Sequence, residues 1–157
     1  MALTEGMKAP DFTLPDENGD EFHLYSELKK GPLVIYFFPR DFTSGCTAEA
    51  CEFRDNYDLF AKKGVRIAGI STDDAERHIS FKQKHSLPFQ LLSDSGHRTA
   101  DLFGVRRSLG IIPGRATFLI GRDGTVLHVF SSQLEPKRHI AETLKAMERT
   151  GTGNSTD

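Results

Sequence analysis

Three rhythms of apolar and polar residues succeed one another along this chain, and each points to a kind of element. Phe12-Thr13-Leu14 and Phe22-His23-Leu24 alternate around a polar stretch holding Asn18-Gly19, which predicts an N-terminal β-hairpin. Residues 33–38 form an uninterrupted apolar run closed by Pro39, the pattern of a strand covered on both faces. From Cys46 the apolar positions Ala50, Phe53, Tyr57 and Phe60 recur at helical spacing, and Gly64 ends the segment. Residues 65–70 predict a second buried strand, followed by cap-forming Ser71-Thr72-Asp73-Asp74 and a polar helix over 75–85. Residues 87–92 read as a short extended piece, and 98–103 as a short helix closed by Gly104. Residues 117–120 and 125–130 predict strands paired antiparallel across Arg122-Asp123-Gly124. Over 135–148, Ile140, Leu144 and Met147 share one face of an amphipathic helix.

This order places parallel crossovers first and an antiparallel pair last, which predicts an α/β sandwich of the thioredoxin-like kind. Its central mixed sheet is flanked by helices and carries the hairpin as an N-terminal extension. No repeat or linker divides the chain, so residues 1–149 are expected as one domain and 150–157 as a disordered tail.

Composition narrows the function classes. With 38% apolar and 27% charged residues over 157, the chain is globular and large enough to bury a core without disulfide staples. A net charge of −2 gives no reason to expect nucleic acid or a membrane as partner. Arg106, Arg107, Arg115 and Arg122 lie close in sequence, and all but Arg115 read as ordinary solvated surface. The longest apolar run is far short of the ~20 residues that span a bilayer, and residues 1–10 show no leader pattern. Two cysteines without a leader give the expectation of a reducing cytoplasm.

Both cysteines, Cys46 and Cys51, sit where the first buried strand hands over to a helix. Helix N-termini present unpaired N–H groups and partial positive charge, which favour a thiolate, the nucleophilic form of sulfur. The spacing is not the C-x-x-C of a dithiol oxidoreductase. Cα atoms five apart in a helix are roughly 8.7 Å from each other, whereas a disulfide needs them within about 7 Å. Pairing therefore requires the helix start to unwind. A two-step cycle fits this geometry: Cys46 is oxidised to a sulfenic acid, the first turns open, and Cys51 displaces water to give a disulfide that an outside dithiol reduces. The six histidines show no ligand spacing with the cysteines, so no metal is expected. Glu49 reads first as a first-turn charge favoured by the helix dipole, with the orienting of an arginine such as Arg54 or Arg115 as the alternative.

The stretch from Tyr36 to Asp55 resembles the active-site segment of peroxiredoxins, of the bacterioferritin comigratory protein or peroxiredoxin Q type. Pro39, Thr43 and Cys46 meet the Pro-x-x-x-Thr-x-x-Cys signature. Further similarity runs through Gly69-Ile70-Ser71, residues 87–94 and residues 115–120. The resemblance implies that Cys46 is the peroxidatic cysteine and Cys51 the resolving one. It implies that Thr43 hydrogen-bonds the attacking sulfur and the peroxide, that Pro39 shields the pocket, and that Arg115 favours the thiolate and holds the peroxide oxygens. Ser44 stands where many relatives have proline, and Gly121 where aspartate is common. The loop 104–114 also looks shorter than in many relatives.

The expected activity is reduction of hydrogen peroxide and organic hydroperoxides without a cofactor, with electrons from thioredoxin or a similar dithiol protein. A monomer is favoured over a dimer because the resolving partner lies in the same chain. Two rivals remain at this stage: a thiol–disulfide oxidoreductase acting on proteins, and a binding domain whose cysteines are incidental.

Overall fold

The computed structural model describes residues 3–105, 114–132 and 135–151. Strands β1 (Thr13–Pro15) and β2 (Glu21–His23) pair antiparallel as the expected hairpin, with Leu14 opposite Phe22. Leu24 does not extend the second strand. It opens a short helix, α1 (Leu24–Leu28), that buries Leu24 and Leu28 one turn apart. Strand β3 (Leu33–Phe37) is the apolar run, and every one of its residues is buried.

The helical stretch after Cys46 is two helices, α2 (Ser44–Asp55) and α3 (Tyr57–Ala61), rather than one. Asn56 breaks it with φ −105° and ψ 9°, and its side-chain amide donates to the Glu52 carbonyl at 2.8 Å. A short amide side chain that bonds nearby backbone competes with the helical ladder, which apolar spacing does not register. Strand β4 (Arg66–Ser71) leads into α4 (Ala75–His85), where Asp74 caps by accepting from the Arg77 N–H. Strand β5 (Gln90–Ser93), a 3₁₀ turn (Ser95–His97) and α5 (Arg98–Leu102) follow. The chain closes with β6 (Ala116–Ile120), β7 (Val126–Ser131) and α6 (Arg138–Thr150). Thr150, expected in the tail, is the last residue of α6, and Gly151 ends the helix at φ 68°. The expected tail beyond it, the loop over 106–113, and Arg106 and Arg107 lie outside the described residues.

The five-stranded sheet has the order β5-β4-β3-β6-β7. β3 runs parallel to β4 and antiparallel to β6, so it is the central strand, covered on both faces as its unbroken apolar run requires. Leu33, Ile35 and Phe37 face a core completed by the hairpin, α1 and α5. Val34 and Tyr36 face a second core filled by Cys46, Ala50 and Phe53 of α2, Phe81 of α4, and Ile140 and Met147 of α6.

Within that second core the Tyr36 ring lies over Gly69, its partner across the β3–β4 ladder, where an added Cβ would come within 2.8 Å of Tyr36 Cζ. The ring stacks on Phe53 at 4.6 Å, and its buried hydroxyl has no hydrogen-bond partner among the described residues. Gly69→Ala is expected to lose about 1–3 kcal/mol by overpacking. Tyr36→Phe is expected to hold or raise stability, because it removes an unsatisfied polar group. Urea unfolding of both variants checks the pair, and a tolerated Gly69→Ala would show that the ring has room to move.

Candidate active site

The segment joining β3 to α2 is anchored at its middle. Asp41 is fully buried; its N–H donates to Asp73 Oδ2 at 2.7 Å, and its Oδ2 lies 2.6 Å from His78 Nδ1 on α4. His78 Nε2–H donates to the Leu92 carbonyl at 3.0 Å, so Nδ1 and the Asp41 carboxyl share one further proton. Burial pushes the Asp41 carboxyl up, against the pull of His78. Asp41, Asp73 and His78 are close enough together to suggest a cation site. However, Arg77 Nε already donates to Asp73 Oδ1, and its Nη2 to the Asp41 carbonyl. These bonds make the group a tie between the loop and α4. Phe42 takes φ 68° beside it and sets its ring against Phe81, with the Arg77 guanidinium over its face.

Cys46 is the third residue of α2. The first helical bond runs from the Thr47 N–H to the Thr43 carbonyl at 2.8 Å, so the N–H groups of Ser44, Gly45 and Cys46 have no partner within the helix. Cys46 is only 1% exposed and its thiol is free.

Arg115 reaches this sulfur because of strand register. Antiparallel pairing sets Phe37 opposite Ala116, so the residue before β6 arrives beside the carboxyl end of β3, where the loop to α2 begins. Arg115 Nη2 donates to Cys46 Sγ at 3.4 Å, and Nη1 to Glu49 Oε1 at 2.5 Å. Gly45 permits the approach, since a Cβ there would stand 3.2 Å from Nη2. Arg115 is 6% exposed, and its charge is raised further into permanence by Glu49 and Cys46 against the cost of burial.

Of the two readings of Glu49, a first-turn dipole charge or a partner that orients an arginine, the structure favours the second. It is fully buried and paired with Arg115, because position 49 lies one turn after Cys46 on the same inward face. The choice between Arg54 and Arg115 as its partner is made by packing, from 66 residues away. Burial pushes the Glu49 carboxyl up to about 8, with Arg115 pulling the other way. Its Oε2 has no hydrogen-bond partner among the described residues and lies 3.6 Å from His139 Nδ1. That contact is not an ion pair: His139 is held down to about 4 by burial, its Nε2 donates to the Ser132 carbonyl at 2.8 Å, and its Nδ1 accepts from the Thr117 hydroxyl at 2.8 Å.

The remaining expected site residues are placed as follows. Cys51 lies in the same unbroken helix as Cys46, half-buried and free, with Sγ 3.8 Å from His85 Nδ1. Thr43 is the N-cap residue of α2, yet its hydroxyl makes no cap bond and donates to the Arg40 carbonyl at 3.0 Å. Pro39 is half-buried, two residues past the end of β3. Arg122 is exposed and lies on the β6–β7 turn, apart from the buried Arg115.

This geometry agrees with comparisons to known proteins. The profile of the AhpC/TSA family matches residues 6–129. The chain is 46% identical over 147 residues to the chloroplastic peroxiredoxin Q of Suaeda salsa, covering 93% of this chain and 68% of that protein. It is 45% identical over 147 residues to the chloroplastic peroxiredoxin Q of Oryza sativa subsp. japonica, covering 93% and 67%. The crystal structure of peroxidoxin BcpB from Mycobacterium tuberculosis superposes with a TM-score of 0.87 at 37% identity, covering 94% of this chain and 97% of that one. The plant relatives overturn the expectation of a cytoplasmic setting, since they are chloroplastic proteins. Cysteine usage reports a reducing environment and does not name a compartment. The chain belongs to the AhpC/TSA family as a peroxiredoxin of the Q type, with a thioredoxin-like fold, and its chemistry is that of a thiol-dependent peroxidase.

Proposed function

We propose that Cys46 is the peroxidatic residue, that Cys51 resolves it within the same chain, and that residues 1–149 act as one domain. The Arg115 Nη2 contact to Cys46 Sγ, at a buried helix start, carries this reading. A guanidinium and the free N–H groups of the first turn stabilise negative charge on sulfur. The thiolate attacks one peroxide oxygen, the O–O bond breaks, and the leaving hydroxide or alkoxide takes up a proton. Arg115 offers fixed donors to the charge that develops on the departing oxygen. Thr43 has spent its hydroxyl proton on the Arg40 carbonyl, which leaves its oxygen open to accept from a peroxide O–H. Pro39, between β3 and the loop, shields the approach from water.

The resulting sulfenic acid cannot meet Cys51 while α2 stays wound, because both cysteines lie in one continuous helix. Unwinding of the turns between them brings the sulfurs together, and Cys51 displaces water to form the disulfide. A thioredoxin-type dithiol then restores both thiols. Because both reacting sulfurs belong to one chain, the cycle needs no second copy, and we propose a monomer. The dithiol-oxidoreductase rival lacks its C-x-x-C, and the incidental-thiol rival does not account for a buried arginine on the sulfur.

Cys46→Ser should abolish peroxide turnover, whereas Cys51→Ser should oxidise once and then stall or advance to sulfinic acid. Mass spectrometry after one equivalent of hydrogen peroxide separates these outcomes, and sustained thioredoxin-driven turnover by Cys51→Ser would remove the resolving role. Arg115→Ala should slow Cys46 oxidation about 10²–10³-fold, the cost of losing one preorganised donor; competition kinetics against a second peroxidase measure it. Glu49 gives a pH signature. Its folded-state value of about 8 stands above the ordinary 4.5, so its contribution to stability is full below about 4.5 and is lost as pH rises towards 8. Glu49→Gln should therefore gain stability relative to wild type across that window, read as the difference between urea midpoints at successive pH values.

A further inference from the structure

The cycle above leaves one step without a proton acceptor: Cys51 must lose its proton before it can attack the sulfenic sulfur. An ordinary thiol is only a few per cent ionised at pH 7. On the far side of α2 from Arg115, the structure places an imidazole at this second sulfur, with His85 Nδ1 3.8 Å from Cys51 Sγ. From this geometry we infer that His85 is a further catalytic residue, the general base that deprotonates Cys51 in the resolving step; the inference rests on the resolving role of Cys51.

One backbone bond and one ring contact hold His85 in place. His85 is the last residue of α4, and Ser86 turns the chain away with φ 51°. The His85 carbonyl accepts from Arg54 Nη1 at 2.8 Å, and Arg54 lies three residues after Cys51, on the same side of α2. The ring also stands edge-on to Phe81 at 5.1 Å. Arg54 therefore ties the part of α2 that carries Cys51 to the end of α4. The turns that must unwind lie between the two sulfurs, so Cys46 can travel while Cys51 stays beside its base.

As Cys51 attacks, its S–H proton passes to Nδ1, the S–S bond forms and the S–O bond of Cys46 breaks. The departing hydroxide is protonated, so one sulfenic acid and one thiol give one disulfide and one water. His85 is half-exposed and can return the proton to solvent. The groups that act on its charge are Lys84 on its own helix and Arg54 on α2, whose Nε is paired with Asp55. Partial burial and these two cations hold the imidazole below its usual value, which keeps it neutral and able to accept a proton at neutral pH.

Acid-quenched mass spectrometry after one equivalent of hydrogen peroxide resolves sulfenic acid from disulfide in time. In wild type the disulfide-forming phase should slow as pH falls through an inflection below about 6.5, where the imidazole becomes charged. His85→Gln should slow that phase about ten-fold at pH 7 and remove the inflection, a change that packing alone would not produce. A wild-type disulfide that forms with no acid inflection, or a His85→Gln rate and pH profile equal to wild type, overturns the role of His85 and leaves Cys51 as the resolving residue. A wild-type chain that forms no Cys46–Cys51 disulfide overturns both.

Discussion

A single buried cation organises this site. The Arg115 guanidinium spans two residues of α2 one turn apart, giving one arm to the Glu49 carboxyl and the other to the Cys46 sulfur. An arginine cannot shed its charge, so burying it demands acceptors of fixed geometry, and α2 supplies two. Glu49 accepts from the guanidinium and orients it, which lets the remaining donors face the sulfur. The arrangement stands on the antiparallel β3–β6 register, since a shift of one residue would turn Arg115 to the other face of the sheet.

The same helix holds a contradiction that the chemistry uses. In the proposed cycle α2 must be wound to place Cys46 at its N-terminus beneath Arg115, and it must open for Cys46 to reach Cys51. Its ends are anchored unequally. Phe53 packs against Tyr36 and Phe60, and Arg54 bonds the end of α4, so the later turns are well held. The first turn has no side-chain cap, and Thr43 turns its hydroxyl to Arg40 instead. A helix start without a side-chain cap opens more readily, and that is the end that carries Cys46. Just before that end, the tie of Asp41 to His78 and Asp73 gives the moving segment a fixed upstream anchor.

The proposed cycle keeps one sulfur reactive and another in reserve. In this chain the two are separated by direction as well as by sequence. Cys46 faces inward to the sheet and Arg115, while Cys51 faces the end of α4 and His85. Each sulfur thus meets its own charged or titratable neighbour, with the body of one helix between them.

Much of this was legible along the chain. The unbroken run of β3 marked the central strand because only a strand covered on both faces can be apolar at every position, and Asp74 marked the start of α4 because its carboxylate satisfies an orphan N–H. Cys46 was legible from its place at a strand-to-helix junction, and Arg115 only through likeness to a family. What the sequence could not decide were relations set by packing. Leu24 shows as helical only once its burial against Leu28 and the sheet is known, and Asn56 breaks a helix whose apolar rhythm runs straight through it. Glu49 is the sharpest instance: from sequence it is either a dipole charge or the partner of one of two arginines, and only the crossing of β6 beside β3 delivers Arg115 to it. The pairing of His85 with Cys51 is of the same kind, since local patterns report which residues share a helix face and only the assembled layers decide what stands opposite.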